Sequence, residues 1–393
     1  MMNRLHHGRS SRPLRALLLA LILAGCGGGV DSGGTGSATF ASGTITGFGS
    51  VIVRGVHFDD SQATVSDADG TARSRDDLRL GMTTEIRGTA LATDASGTVV
   101  STASSIAFGS DIVGPIASVD AAAGRLVVLG QTVDIVSTTV FDDTSVSGGL
   151  PTLQVGDIAE VYALFDAATG HYTATRIERK SVVATYALRG VVSLLDATAK
   201  AFDIGSERIS YAAFAGAVPA TLANGSIVRV RLRTAQLAGV WLVSALNDGV
   251  QRPRDQDEVR LEGRVSEFFS AARFSVNGVA VDASAVAATP GLALGVRVEV
   301  EGTARAGVLV ASEVKVRTDD DVAGEDFELR GPVAAPDAAA LSFVLRGVTV
   351  VYSAATDFRN GSAAGLTTGV NVEARGKLSP DGTRLIASRI TFR

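Results

Sequence analysis

A pattern that recurs five times constrains this chain more than any other feature of its sequence. A glycine followed two residues later by Ile or Val opens each copy: Gly43-Thr44-Ile45, Gly114-Pro115-Ile116, Gly190-Val191-Val192, Gly263-Arg264-Val265 and Gly331-Pro332-Val333. The openings are 71, 76, 73 and 68 residues apart. Two short apolar runs hinged on a glycine come next (Gly55, Gly130, Gly205, Gly278, Gly347), and they read as a hairpin. A further glycine (Gly81, Gly156, Gly225, Gly295, Gly369) precedes an alternating run. Each copy then closes on a strand whose last apolar residue is Ile106, Ile177, Leu246, Val314 or Ile390. Repetition at this period marks a structural unit laid end to end along the chain.

Within each unit the hydrophobic period is two, as in Val296-Arg297-Val298-Glu299-Val300-Glu301, which puts valines on one face and charges on the other. No long stretch carries a 3.6-residue apolar stripe, so the fold class is all-β. Roughly seventy residues hold about five or six strands with their turns. Closing them into a small barrel hides the edges that would otherwise pair with a neighbour. The pattern predicts five tandem small β-barrels at 43–108, 111–180, 187–248, 259–317 and 327–393, with polar linkers at 249–258 and 318–326. Barrels about 25 Å across, strung out, would reach on the order of 100 Å.

The start of the chain reads as an address. Residues 1–25 contain Arg4, Arg9, Arg12 and Arg15, no acid, and an apolar run from about Leu14 to Ala24, uninterrupted after Arg15. That run is too short for a bilayer-spanning helix, which needs about twenty residues, and it matches the h-region of an export signal. It ends in Leu23-Ala24-Gly25-Cys26, which resembles the lipobox of bacterial lipoproteins. By that resemblance Cys26, the single cysteine, is the first mature residue and carries the lipid that would anchor the protein to a membrane. Gly27 follows in place of the aspartate that resembles an inner-membrane retention signal, so the expected location is the outer membrane, facing the periplasm. Residues 26–42 read as a Gly/Ser-rich tether.

The order of landmarks behind the lipobox (G-x-V, F-x-V-x-G, L-x-x-G-x-x-V-x-V-x-G, A-x-x-I) resembles the domain of unknown function 5666 of bacterial lipoproteins and envelope proteins. The resemblance extends over residues 43–393 and implies OB-like barrels, of the oligonucleotide/oligosaccharide-binding kind, with no activity attached. The third copy departs from it at Asn224-Gly225, where a Leu or Val usually stands shortly before the glycine, and the first has an enlarged acidic middle segment.

Few residues point to chemistry. One cysteine cannot form an internal disulfide or supply a zinc or iron–sulfur site. His57 and His171 lie in different copies with no second ligand nearby in sequence, and His171 falls in a turn where a solvated side chain is expected. The fragment Asp67-Ala68-Asp69-Gly70 lacks most of a calcium loop, and the Asp319-Asp320-Asp321 run suits a solvated linker as well as a cation. Trp241 could stack on a sugar, but it aligns with Tyr172, Leu309 and Leu385, which makes it an inward-facing barrel position. Arg229, Arg231 and Arg233 alternate along one strand and are the tentative ligand face, able to grip an anionic sugar or lipid head group. The same face bears Arg297, Glu299 and Glu301 in the fourth copy and Asn371, Glu373 and Arg375 in the fifth, mixed charge as on a generic solvent face.

No nucleophile elbow, P-loop or HExxH motif is present, and no metal or cofactor is expected. The net charge of −5 makes nucleic acid a poor partner, because affinity for phosphate backbones rests on cations. The sequence thus predicts a non-catalytic lipoprotein serving as a binding or spacer module in the envelope, with an envelope protein or polysaccharide as partner. The alternative is a protein that binds a polysaccharide or small envelope ligand through one barrel face, with an envelope enzyme behind both.

Overall fold

The computed structural model describes residues 38–393 apart from Gln256 and Glu325. The expected signal peptide at 1–25, Cys26 and most of the expected tether at 26–42 lie outside the described residues. The chain is nearly all β, and the five copies close as small barrels. In repeat 1 the barrel strands are Thr39–Phe48, Val51–Val53, Val56–Asp59, Thr83–Gly88 and Val99–Phe108. The first pairs antiparallel with the second and the fourth, the second with the third, and the fourth with the fifth. A parallel pairing of the third with the fifth completes the circuit. The same circuit recurs in each of the other four copies. The inward-facing valines and isoleucines of the alternating runs are fully buried, for example Ile86, Val161, Val230 and Val300. Trp241 is also inside: it is 8% exposed, packs edge-on against Tyr186, and donates its indole N–H to Glu207 at 2.5 Å.

The barrels are not strung out. The described residues form one compact unit, and strand pairing passes from copy to copy. The reason lies in the first strand of each repeat, which is longer than its own barrel can pair. In repeat 1, Thr39–Ser42 pairs with the fourth strand of its own barrel on one side and, in parallel, with Glu258–Leu261 of repeat 4 on the other. Farther along the same strand, Gly47 and Phe48 pair in parallel with Glu328 and Leu329 of repeat 5. In repeat 2, Ile112 and Val113 pair antiparallel with Ala187 and Leu188 of repeat 3. Overhanging backbone N–H and C=O groups must find partners, and another copy of the same strand supplies them. The cores follow suit: the apolar interiors of repeats 1 and 5 merge, as do those of repeats 2 and 3, while repeat 4 has its own and takes in Phe40.

The polar segments between repeats are also engaged. At 249–258, Arg87 of repeat 1 donates to the Arg252 carbonyl (2.9 Å) and to the Asp257 carboxylate (3.1 Å), and Asp257 is buried. At 318–326, a short helix, Asp319–Gly324, is capped by Thr318 and Asp321 through reciprocal bonds of 3.1 and 2.8 Å. Lys377 donates to the carbonyls of Ala323 and Gly324. The first barrel strand begins at Thr39, so the last residues of the expected tether are strand.

Candidate functional site

The landmark glycine of each repeat faces an inner position of the fourth strand, so the residues one step to the side point outward. Across the five copies these outward pairs are Ser42 with Glu85, Val113 with Glu160, Arg189 with Arg229, Glu262 with Glu299, and Arg330 with Glu373. Every fourth strand therefore presents a charge at one equivalent place. A solvent face was expected there, but most of these side chains lie between barrels.

In repeat 4 the face is sealed. Glu262 and Arg297 are 8% and 7% exposed, and the guanidinium donates to Glu262 through Nε at 2.9 Å and also through Nη2. Burial alone would raise the Glu262 carboxyl, but Arg297 and Arg54 outweigh it and hold the group below its ordinary value. Arg54, on the hairpin turn of repeat 1, lies over the same face and reaches Glu299 at 3.1 Å and Glu301 at 3.7 Å. Arg260 faces Glu301 across the strands at 2.8 Å.

The tentative arginine face of repeat 3 is divided among three environments. Arg229 is 9% exposed and donates to the Ser110 carbonyl at 2.5 Å, in the junction between repeats 1 and 2. Burial lowers its pKa from the ordinary arginine value. Arg189 stands directly opposite Arg229, a repulsive placement relieved by Asp111, which lies 3.3 Å from Arg189. Arg231 donates to Asp69 of repeat 1 at 2.6 Å. Arg233 is exposed. Arg229 and Arg231 line a cleft of about 290 Å³ that also holds Glu160, Glu178 and Lys180, so their charge faces other protein charges there. Asp67 serves local structure, one of its oxygens accepting the Asp69 and Thr71 N–H groups in a turn and the other pairing with Arg73, while the Asp69 carboxylate is taken by Arg231. His171 is tied to Asp134 at 2.8 Å. Among the described residues, no group of three or more His, Cys, Asp or Glu side chains could hold a metal ion.

An open groove of about 890 Å³ lies between repeats 1 and 5. Repeat 5 contributes one wall through its outward charges. Arg375 lies between two carboxylates, 2.8 Å from Glu328 and 3.0 Å from Glu373, and Arg393 also donates to Glu373. Burial and the neighbouring Glu373 raise the Glu328 carboxyl above its ordinary value, while Arg393 and Arg375 overcome burial to hold Glu373 below. Arg330 is exposed and has no ion-pair partner among the described residues. Repeat 1 contributes the other wall: His57, bonded to Ser50 at 3.3 Å, together with Asp59 and a hydroxyl-rich hairpin bearing Thr89, Ser96 and Thr98. Among the described residues no Phe, Tyr or Trp side chain lines the groove, so hydrogen bonds and charge dominate what it offers a ligand.

Two glycines allow the walls to meet at its base. A Cβ on Gly47 would lie 2.4 Å from the Glu328 carbonyl oxygen, and one on Gly49, whose φ is +143°, would lie 2.7 Å from the Arg330 Cβ. Neither the groove nor its unpaired Arg330 is apparent in the sequence. A signal was nonetheless there: only the first copy carries glycines at both of these places, in Gly43-Thr44-Ile45-Thr46-Gly47-Phe48-Gly49.

A family model described as a domain of unknown function (DUF5666) matches residues 113–178, 262–315 and 330–391. These segments fall in the second, fourth and fifth copies. No curated protein matches the chain.

Proposed function

This chain is a repeat protein of the domain of unknown function 5666 family, and from that premise we propose that it is a non-catalytic, lipid-anchored binding protein of the cell envelope. Its ligand is a polar envelope glycan, taken in the groove between repeats 1 and 5. Cys26 is the lipid-bearing residue, the outer membrane its location, and nucleic acid is not a partner. The observation that carries the reading is the unpaired Arg330 set in a groove of about 890 Å³ among serine and threonine hydroxyls. Sugar hydroxyls suit such a lining, because they both donate and accept, and a guanidinium forms charge-assisted bonds stronger than neutral ones. A spacer that works by length is supported less well, since the copies fold back on one another instead of extending.

Calorimetric titration of the full chain with soluble fragments of envelope polysaccharide tests this. Binding by the native protein, weakened roughly tenfold or more in Arg330→Ala, is expected from the loss of a bond to a charged group. Absence of binding, or binding indifferent to Arg330→Ala, would refute it. Anchoring has its own test: Cys26→Ser should move the protein from the membrane fraction to the soluble one.

A further inference from the structure

A second cavity, of about 390 Å³, lies where repeats 2, 3 and 4 meet, and its character is opposite to that of the polar groove. Phe165 of repeat 2, Val191 and Ile227 of repeat 3, Val250 of the connecting segment and Leu294 of repeat 4 form its wall. None of the five is fully buried, and Leu294 is 40% exposed, so the apolar surface faces an opening. Apolar surface gathered into a concavity of several hundred Å³, with a few polar groups at the edge, is the usual make-up of a small-molecule site.

The polar edge indicates what the occupant would carry. Asp248 and Arg252 neutralise each other at 2.8 Å, and Asp248 also accepts the Val250 N–H at 2.9 Å. Glu267 is different: one of its oxygens accepts the Ser275 hydroxyl at 2.8 Å, and no cation pairs with it among the described residues. The cavity thus has an apolar body and one uncompensated negative charge at its rim. We propose that it binds a small amphiphilic amine, with the apolar part against Val191, Ile227 and Leu294 and the ammonium on Glu267. This site is separate from the groove between repeats 1 and 5 and does not depend on that groove's function.

The test uses the full chain with three probes of one shape, 2-(1-naphthyl)ethylamine, the matching alcohol and 1-naphthylacetate, followed by their fluorescence. The amine is expected to bind about tenfold more tightly than the alcohol, the ratio that about 1.4 kcal/mol of head-group interaction produces, and the carboxylate most weakly. Glu267→Gln should bring the amine and alcohol together. Val191→Trp, which fills the cavity, should abolish binding of both, and Leu294→Arg, at an exposed position, serves the same purpose if the first variant fails to fold. Arg330→Ala, in the other groove, should change nothing. Equal affinity for the three probes, no binding of any, or amine binding that survives a cavity variant shown to be folded would overturn the proposal.

Discussion

Repeats 4 and 5 use the same outer face in two ways. Three residues before the landmark glycine, repeat 4 has Arg260 opposite Glu301, and repeat 5 has Glu328 opposite Arg375, the same ion pair with its charges exchanged and the same 2.8 Å separation. One residue before the glycine, repeat 4 has Glu262 and repeat 5 has Arg330. In repeat 4, Arg54 of repeat 1 covers the face and Arg297 neutralises Glu262, so the charges form a closed, mutually compensated joint. In repeat 5 the face looks across an open groove and Arg330 has no ion-pair partner among the described residues. The difference teaches that a charged outer face is a joint when a neighbour brings the complementary charge, and becomes a candidate ligand surface when it does not.

The comparison can be broken most severely at the sealed face. Glu262→Gln leaves the Arg297 guanidinium buried without its counter-charge and should cost roughly 3–5 kcal/mol in denaturant unfolding, the usual penalty for removing one partner of a buried pair. The corresponding change on the open face, Glu373→Gln, leaves Arg375 and Arg393 partly solvated and should cost clearly less. Equal losses would mean that the two faces are not different in kind.

Next in size is Gly47→Val. Its Cβ would meet the Glu328 carbonyl at 2.4 Å, so repeat 5 must shift away from repeat 1, at a cost on the order of 1–3 kcal/mol. Ligand affinity should fall with stability, because the same contact forms the base of the groove. Unchanged stability would show that the two repeats are not held together there.

Acid and base should also act in opposite directions on one carboxylate of each face, Glu262 and Glu328. Glu262 has a folded pKa below its unfolded one, so its stabilising contribution is present at neutral pH and is lost as pH falls through the folded value. Glu328 has a raised folded pKa, so the folded state holds its proton more tightly than the unfolded state does. Stability therefore declines as pH rises from the ordinary glutamate range through that raised value. Glu328→Gln should flatten this decline, whereas Glu262→Gln should remove the loss on the acid side. Stability curves that stay unchanged in both variants would contradict the assignment. The smallest effect is expected at Arg231→Ala, about 0.2–1 kcal/mol, since its pair with Asp69 is partly exposed.

The repeat, the barrels and the inward place of Trp241 were legible because they depend on local patterns: a glycine at fixed distance, alternation of valine with charge, a hairpin. The packing of barrels was not, because it depends on which backbone edge finds which copy more than two hundred residues away, as Thr39–Ser42 finds Glu258–Leu261. For the same reason the outward charges looked like solvent-facing residues. Glu262, Arg297 and Arg229 show no sign of burial in sequence, since only the neighbouring barrel removes their water. The groove was hidden doubly, being formed by residues from both ends of the chain, with Gly47 and Gly49 as its one local trace.

The most direct measurement is hydrogen exchange on the full chain with and without soluble envelope glycan, read by peptide across repeats 1, 4 and 5. Added protection is predicted at Ser50–Asp59, at Glu328–Arg330 and at Glu373–Arg375, with Glu258–Arg264 and Arg297–Glu301 unchanged because their joint is already closed. Protection confined to other regions, or equal on both faces, would contradict the distinction between a sealed joint and an open site.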